Sequence, residues 1–488
     1  MLGSLLKSFK AAPQATPAGK QPSDPAAPDA VQAAQQAPPA PAAHAPGVQG
    51  SAGPGSVLQA VLAANESVIK AGDSGTLAQA LAGAQAAFEQ DPQDLVACLS
   101  LAGLQAAQGL PEALDSYTRA VALRPRSPIL LRTLASMQQD QGRLEESIAT
   151  RRLLCAAEPD NKEDRFWLSQ ALFMAGQYRE AFLLFAAREH EPLLQRQPWT
   201  AHVPAWEGGS LAGRSILIWT DWGGLGDELL FSRYIGLVQR MYKPRAILVN
   251  CSAQNQRLFA NIEGVSQALG QGGVMQADCH AALADLPAIF GTDFDSIPTP
   301  VPYLHPHAAD QEKWRARLGP MRGLKIGLCW GSGFWNQGKD FDKIRQSRTL
   351  ALELLRPMSE IPGVHLISLQ KGKALEALEE SGLPIANFDS ELRDMADTAA
   401  LASALDLVVS VDTSVPHLGG ALALPTLMLM PAQSGTFWMT RQETAPWYPT
   451  VRLLRQPAPG DWAGPVARAT ALVRQFAATG RIDVFAPA

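Results

Sequence analysis

The run Leu407-Val-Val-Ser-Val-Asp-Thr-Ser-Val-Pro-His-Leu-Gly-Gly420 decides the reading of the C-terminal half. Its first five residues are apolar apart from Ser410, and short apolar runs of this kind are strands buried on both faces of a parallel sheet. Three small polar residues follow. Pro416 then stands where the first turn of a helix tolerates a missing amide hydrogen. Strand, tight turn and helix start are therefore expected in that order. Free amides of Thr413, Ser414 and Val415 would point at whatever lies beyond the strand, an anion site suited to a pyrophosphate. Asp412, acceptor-only when ionised, could take hydrogen bonds from sugar hydroxyls. The plain alternative is that Asp412 or Thr413 only caps the helix and that His417 is an interior histidine.

Working outward, similar runs occur at Ile216–Thr220, Ala246–Asn250, Lys325–Trp330, His365–Leu369 and Thr426–Met430, each separated by enough chain for a crossover helix. That alternation predicts an α/β fold. Roughly 290 residues follow Pro192, too many for one ordinary doubly wound sheet. Two Rossmann-like domains are expected, meeting near Pro298–Pro306 (PTPVPYLHP), with a ligand cleft between them at the carboxyl ends of the strands.

Three further strand ends carry candidate chemistry. ILIWTDWGGLGD, residues 216–227, runs into a glycine-rich turn containing Gly226 and ends at Asp227, either a helix cap or a general base facing the cleft. KIGLCWGSG, residues 325–333, places Trp330, Gly331, Ser332 and Gly333 in a loop open to a nucleotide, with Arg345 and Arg348 downstream. Arg348 is read against phosphates, or as a solvated loop residue. HLISLQKG, residues 365–372, sets Gln370 and Lys371 after a strand, with Lys371 either a phosphate partner or a solvated lysine. Trp438, Trp447 and Tyr448 either stack on a ligand or pack between domains. Apolar spacing over Ala463–Phe476 predicts a closing helix packed across both domains.

The N-terminal part reads differently. Residues 11–50 hold 14 Ala, 9 Pro and 6 Gln and neither Leu, Ile nor an aromatic residue, a composition that cannot offset its ordering entropy, so residues 1–55 are expected to be disordered. Pro92, Pro125, Pro159 and Pro192 then recur in steps of 33 or 34, as do Gly109, Gly142 and Gly176, while Ala113, Ser147 and Ala181 recur every 34. Glycine permits a turn between helices, a small residue lets them cross closely, and proline stops the second one. The period matches tetratricopeptide repeats, expected over residues 56–195 with a degenerate leading pair, stacked into a solenoid whose groove binds polypeptide.

Composition excludes several classes. Forty-one Lys and Arg against 46 Asp and Glu give a net charge of −5, which disfavours nucleic acid as a partner. Five scattered cysteines form neither a disulfide framework nor a zinc pattern and read as buried residues of a reducing compartment. No secretory signal or membrane span is read, so a cytoplasmic location is expected. Asp293/Asp295 and Asp340/Asp342 have D-x-D spacing but lack a preceding apolar strand, so no metal is expected.

Taken in order, GLGDELLFSRY, IGLCWGSG, SLQKG, DMADTAALASALDLVVSVDTSVPHLGGALALP and WMTRQETAPWYPTVRLLRQ resemble bacterial glycosyltransferases of the heptosyltransferase-related, family-9-like GT-B group, in the subset with N-terminal tetratricopeptide repeats. The similarity spans roughly residues 200–480 and extends more distantly to O-linked N-acetylglucosamine transferases and flagellin O-glycosyltransferases. It implies an α plus α/β protein: a helical solenoid, an acceptor-side domain (196–305) and a nucleotide-sugar domain (306–488). It also implies an inverting, metal-independent enzyme without a cofactor, using a nucleotide sugar as co-substrate. Asp227 would be the base. Gly226, Trp330, Gly331, Ser332, Arg348, Gln370, Lys371, Asp412, Thr413, Ser414 and His417 would bind the donor. The acceptor would be a protein Ser or Thr hydroxyl presented by the repeats, a flagellin-type subunit included. Two alternatives stand beside it: a lipopolysaccharide or other glycan acceptor, and a non-catalytic repeat scaffold.

Overall fold

Gly109, Gly142 and Gly176 have φ of 70°, 75° and 78°, the left-handed conformation that ends one helix and admits the next. The computed structural model describes residues 74–185, 188, 202–270, 276–332, 346–432, 436–439 and 442–481, with single positions between 61 and 69. The expected tail over 1–55, Pro192, Arg345 and the loop from Gly333 to Lys343 with Asp340 and Asp342 lie outside the described residues. The chain divides into two compact units, Met1–Ala157 and Glu158–Ala488.

In the first unit α1 (Ser74–Gln90) precedes two helix pairs, α2 (Leu95–Ala107) with α3 (Ala113–Leu123) and α4 (Pro128–Asp140) with α5 (Leu144–Ala157). Asp94 caps α2 by accepting the Val96 amide at 2.9 Å, and Pro128 begins α4 where no amide hydrogen is needed. Ala113 and Ser147 are buried where the helices cross, and Ser147 Oγ donates to the Ala135 carbonyl at 2.6 Å. One polar bond repeats with the period: Ser116 Oγ to Gln105 Oε1 and Thr150 Oγ1 to Gln138 Oε1, both 2.8 Å. Leu99, Leu114, Tyr117, Leu130 and Leu134 form the apolar core between pairs. At Gly142 an added Cβ would meet no atom within 4 Å, so Gly142→Ala isolates the backbone term. Equilibrium denaturation should show a loss of about 1–2 kcal/mol, the cost of a left-handed L-residue.

The second unit begins with one more helix pair, α6 (Lys162–Met174) and α7 (Tyr178–Phe185). A first α/β lobe follows: β1 (Ser215–Trp219), α8 (Leu225–Phe231), β2 (Ala246–Cys251), α9 (Gln256–Phe259), β3 (Val265–Gly270) and β4 (Cys279–Ala282). Its strands are all parallel in the order β3-β2-β1-β4. The C-terminal lobe contains α10 (Ala308–Leu318), β5 (Leu324–Cys329), β6 (Val364–Ser368), β7 (Ile385–Ala386), α11 (Met395–Ala402), β8 (Leu407–Val411), α12 (Ser414–Ala421), β9 (Thr426–Met430), β10 (Val451–Arg455) and α13 (Ala463–Thr479). Its six parallel strands are ordered β10-β9-β8-β5-β6-β7, the doubly wound Rossmann order, with the switch point between β5 and β8. Helical repeats followed by two such lobes make the α plus α/β, GT-B architecture.

Residues 298–306 run between β4 and α10, and the Tyr303 amide donates to Ala421 O at 3.0 Å. The closing helix α13 differs from expectation. Val466, Ala469 and Val473 enter a core built only from C-terminal-lobe residues such as Leu352, Leu427 and Leu454, so the helix completes one lobe and does not bridge two. Trp447 and Tyr448 are fully buried, and Trp447 stacks on Tyr178 with centroids 5.4 Å apart. Cys98, Cys251, Cys279 and Cys329 are buried, and Cys155 is half-buried. Among the described residues no helix is long and apolar enough to cross a membrane.

Candidate active site

Strand β1 delivers the chain into the turn before α8. Gly223 has φ 88°, and a Cβ there would lie 2.6 Å from the Asp227 Cβ, so only glycine lets the turn pass beneath that side chain. Asp227 Oδ2 accepts the Gly224 amide at 2.8 Å, so the residue caps its own helix from the third position while remaining on the cleft wall. Burial pushes its carboxyl up to about 6, helped by the neighbouring charges of Asp412 and Glu228 and opposed by the Gly224 amide and Arg348.

In the other lobe β8 leads into Asp412, Thr413 and α12. Thr413 is the cap, its Oγ1 accepting the Val415 amide at 3.2 Å. Among the described residues the Thr413 and Ser414 amides donate to no protein acceptor, as befits a helix start. Asp412 does not cap. Its Oδ1 accepts Trp438 Nε1 at 3.2 Å, and its Oδ2 lies 3.2 Å from Arg348 Nη1. His417 Nδ1 meets the Tyr448 hydroxyl at 3.1 Å. Burial, with the charges of Arg233 and Arg348, pulls its pKa down to about 3, so the imidazole is neutral at physiological pH.

The two helix starts touch. A Cβ on Gly226 would lie 2.7 Å from His417 Cδ2 and 3.5 Å from the Ser414 Cα, so this glycine sets how closely α8 and α12 approach across the lobes. Gly226→Ala should force that contact open. A shift approaching 1 Å between reacting groups costs about 10²-fold in turnover, to be read by steady-state kinetics on a variant with unchanged far-ultraviolet dichroism.

A cavity of ≈ 650 Å³ lies between the lobes, bordered by Gly226, Asp227, Gly331, Ser332, Arg348, Gln370, Lys371, Asp412, Thr413, Ser414 and His417. Trp330 does not border it: the ring is buried in the C-terminal core, with Nε1 donating to Ala374 O at 3.0 Å. Two of the bordering side chains are engaged by the protein itself. Gln370 is 2% exposed and its amide is saturated, Oε1 accepting the Trp330 and Gly331 amides at 3.0 and 2.8 Å, and Nε2 donating to Gly331 O and Lys371 O at 3.0 and 2.8 Å. It braces two loops. Lys371 Nζ donates to Asp389 O and Leu392 O at 3.0 and 2.9 Å and pairs with the Asp389 carboxylate, so its three protons are committed away from a phosphate.

Sequence reasoning missed Trp222, Gln254, Arg393, Asp394, Met395, Thr398, Thr436 and Phe437, which also border the cavity. Trp222 was legible as the aromatic five residues before Asp227. The others, Met395 and Thr398 on α11 and the rest on connecting segments, are brought near only by tertiary packing. The lobes also meet where Arg257 of α9 pairs with Asp310, Asp394 and Asp397 at 2.8, 2.9 and 3.1 Å, and where the Met395 amide donates to Gln254 O at 2.9 Å. Among the described residues no group of three or more His, Cys, Asp or Glu side chains is placed to hold a metal ion. Asp293, of the D-x-D pair described here, accepts the Phe294 amide and faces Arg179 at 3.5 Å.

No family model matches the chain. It is 30% identical over 376 residues to Protein FlbA of Caulobacter vibrioides, an alignment covering 70% of this chain and 60% of that protein's length. The fold is similar to a glycosyl transferase family 9 protein of Veillonella parvula (9% identity, 51% of this chain and 88% of that one, TM-score 0.39). It is also similar to ADP-heptose lps heptosyltransferase II of E. coli (16%, 54% and 99%, TM-score 0.37) and to an O-GlcNAc transferase of Thermobaculum terrenum (14%, 88% and 94%, TM-score 0.27).

Proposed function

We propose that this protein is an inverting, metal-independent glycosyltransferase that moves a sugar from a nucleotide-sugar donor to a Ser or Thr hydroxyl of a protein presented by the helical repeats. The observation carrying the reading is that the Asp227 carboxylate and the free amides of Thr413 and Ser414 border one cavity between two facing Rossmann sheets. Asp227 takes the proton of the acceptor hydroxyl, whose oxygen attacks the anomeric carbon. The bond from that carbon to the diphosphate breaks, and the electron pair leaves with the diphosphate. One displacement on the face opposite the leaving group inverts the centre.

The departing charge is met by the α12 amides and by Arg348, which serve in place of a divalent cation. A carboxyl near 6 is ionised at neutral pH yet more basic than an ordinary aspartate, which suits it to the proton transfer. Neutral His417, its Nδ1 hydrogen-bonded to the Tyr448 hydroxyl, holds an uncharged ring on the cavity wall beside the donor. Nothing else is needed as cofactor. Flagellin-type subunits are the first acceptors to try.

The test is incubation of the purified chain with a panel of nucleotide sugars and bacterial protein extract, followed by intact-mass analysis. A sugar-sized mass increment on Ser or Thr of an acceptor is expected. Glycan products alone would move the acceptor class to lipopolysaccharide or another glycan, and no consumption of any donor would reject the enzymatic reading.

A further inference from the structure

The helix pair α6–α7 belongs by period to the repeats, yet its residues differ from their counterparts. Counted back from the turn glycines, Gln170 and Phe173 stand where the preceding pairs have Ser136 and Gln139, and Gly103 and Ala106. Those differences are spent on one segment, Thr436–Met439, between β9 and β10. Thr436 Oγ1 donates to Gln170 Oε1 at 2.7 Å, and the Tyr178 hydroxyl donates to Phe437 O at 3.4 Å. The Phe437 ring packs edge-on against Phe173 with centroids 5.0 Å apart. Met439 takes φ 54°, and its Cε fills the space a Cβ on Gly176 would need, 2.8 Å away. Arg455 donates to the Trp438 and Met439 carbonyls from the other side.

What this segment holds is the donor-side carboxylate. Trp438 Nε1 donates to Asp412 Oδ1 at 3.2 Å, and the Trp438 ring lies 4.8 Å from the His417 ring. Among the described residues, Asp412 Oδ2 is buried without a hydrogen-bond partner and has the Arg348 ion pair beside it. The aim of Asp412 therefore depends on Trp438, and the place of Trp438 depends on α6 and α7.

We infer that Gln170 and Tyr178, on the last repeat-like helix pair, are positioning residues of the donor site, acting through segment 436–438 on Asp412. This rests on the glycosyltransferase reading. It makes the pair a wall of the catalytic body, so that donor affinity is set partly by residues that the repeat period assigns to acceptor binding.

The experiment uses the full-length chain with Gln170→Leu, Thr436→Val, their double variant and Thr436→Ser, reading donor KM, kcat and amide exchange over residues 412–415 and 436–439. One lost hydrogen bond should raise donor KM about three- to tenfold with acceptor KM unchanged. Exchange over both segments should quicken, the double variant should be no worse than either single one, and Thr436→Ser should restore wild-type values. Wild-type donor KM and unchanged exchange in Gln170→Leu and Thr436→Val would overturn the inference, whatever their melting temperatures, while wild-type turnover kept the enzymatic reading intact. A wild type that turns over no donor would overturn that reading first and this inference with it.

Discussion

Asp227→Asn is expected to lower kcat about 10²–10⁴-fold while donor binding persists, because the amide cannot accept the acceptor's proton but still accepts the Gly224 amide that organises the turn. In the wild type kcat/KM should fall as pH drops through about 6, where the carboxyl takes up its proton, and level off above it. Stability runs the other way. A raised carboxyl holds its proton in the folded chain at pH values where the unfolded chain, near 4, has lost it. Folded-state stability therefore declines as pH rises from about 4 through 6. Removing the charge should leave the Asn variant melting no lower than wild type at pH 8, a sign difference that calorimetry reads directly. A variant that is slow because it is unfolded would show the reverse.

The largest stability effect is expected at Arg188. Its guanidinium is 4% exposed and lies 2.6 Å from Asp221, itself 5% exposed, and 2.7 Å from Asp285. It also donates to Phe185 O at 3.2 Å, tying the end of α7 to the loop that follows β1. Burial raises the Asp221 carboxyl even against the pull of Arg188, so the pair is needed to keep that charge. Arg188→Ala strands a carboxylate and should cost about 3–5 kcal/mol in denaturant titration. Arg188→Met combined with Asp221→Leu should recover most of the loss, since it removes both buried charges and leaves only the Asp285 carboxylate, 40% exposed and within reach of water. Because Asp221 opens the turn that carries Asp227, the single variant should lose activity as well.

Strand ends were the legible part of the site. The apolar runs placed Gly331 and Asp412 just past the carboxyl ends of β5 and β8, and Asp227 at the start of α8 beyond the turn that follows β1, where a doubly wound topology gathers them. Four strands escaped for a physical reason: β3 (VSQALG) and β10 (VRLLR) lie at sheet edges that tolerate polar residues, while β4 (CHAA) and the two-residue β7 are too short to show a pattern. Side-chain direction was not legible. Gln370 and Lys371 do follow a strand, but their polar atoms turn back to bond neighbouring backbone, a choice set by loops Gly331 and Asp389–Leu392 far away in sequence. The bond from Trp438 to Asp412 likewise depends on packing that no local period encodes.

The joint at Arg257 bears on turnover. Were the lobes to part, Asp397 would keep Arg393 at 2.9 Å, Asp394 would keep the Asp397 amide at 2.9 Å, and Asp310, 30% exposed, would be left to water. With the guanidinium 37% exposed, water and salt ions can replace what it gives up. A fastening of this kind undoes reversibly at little cost, and product escape should quicken as ionic strength rises.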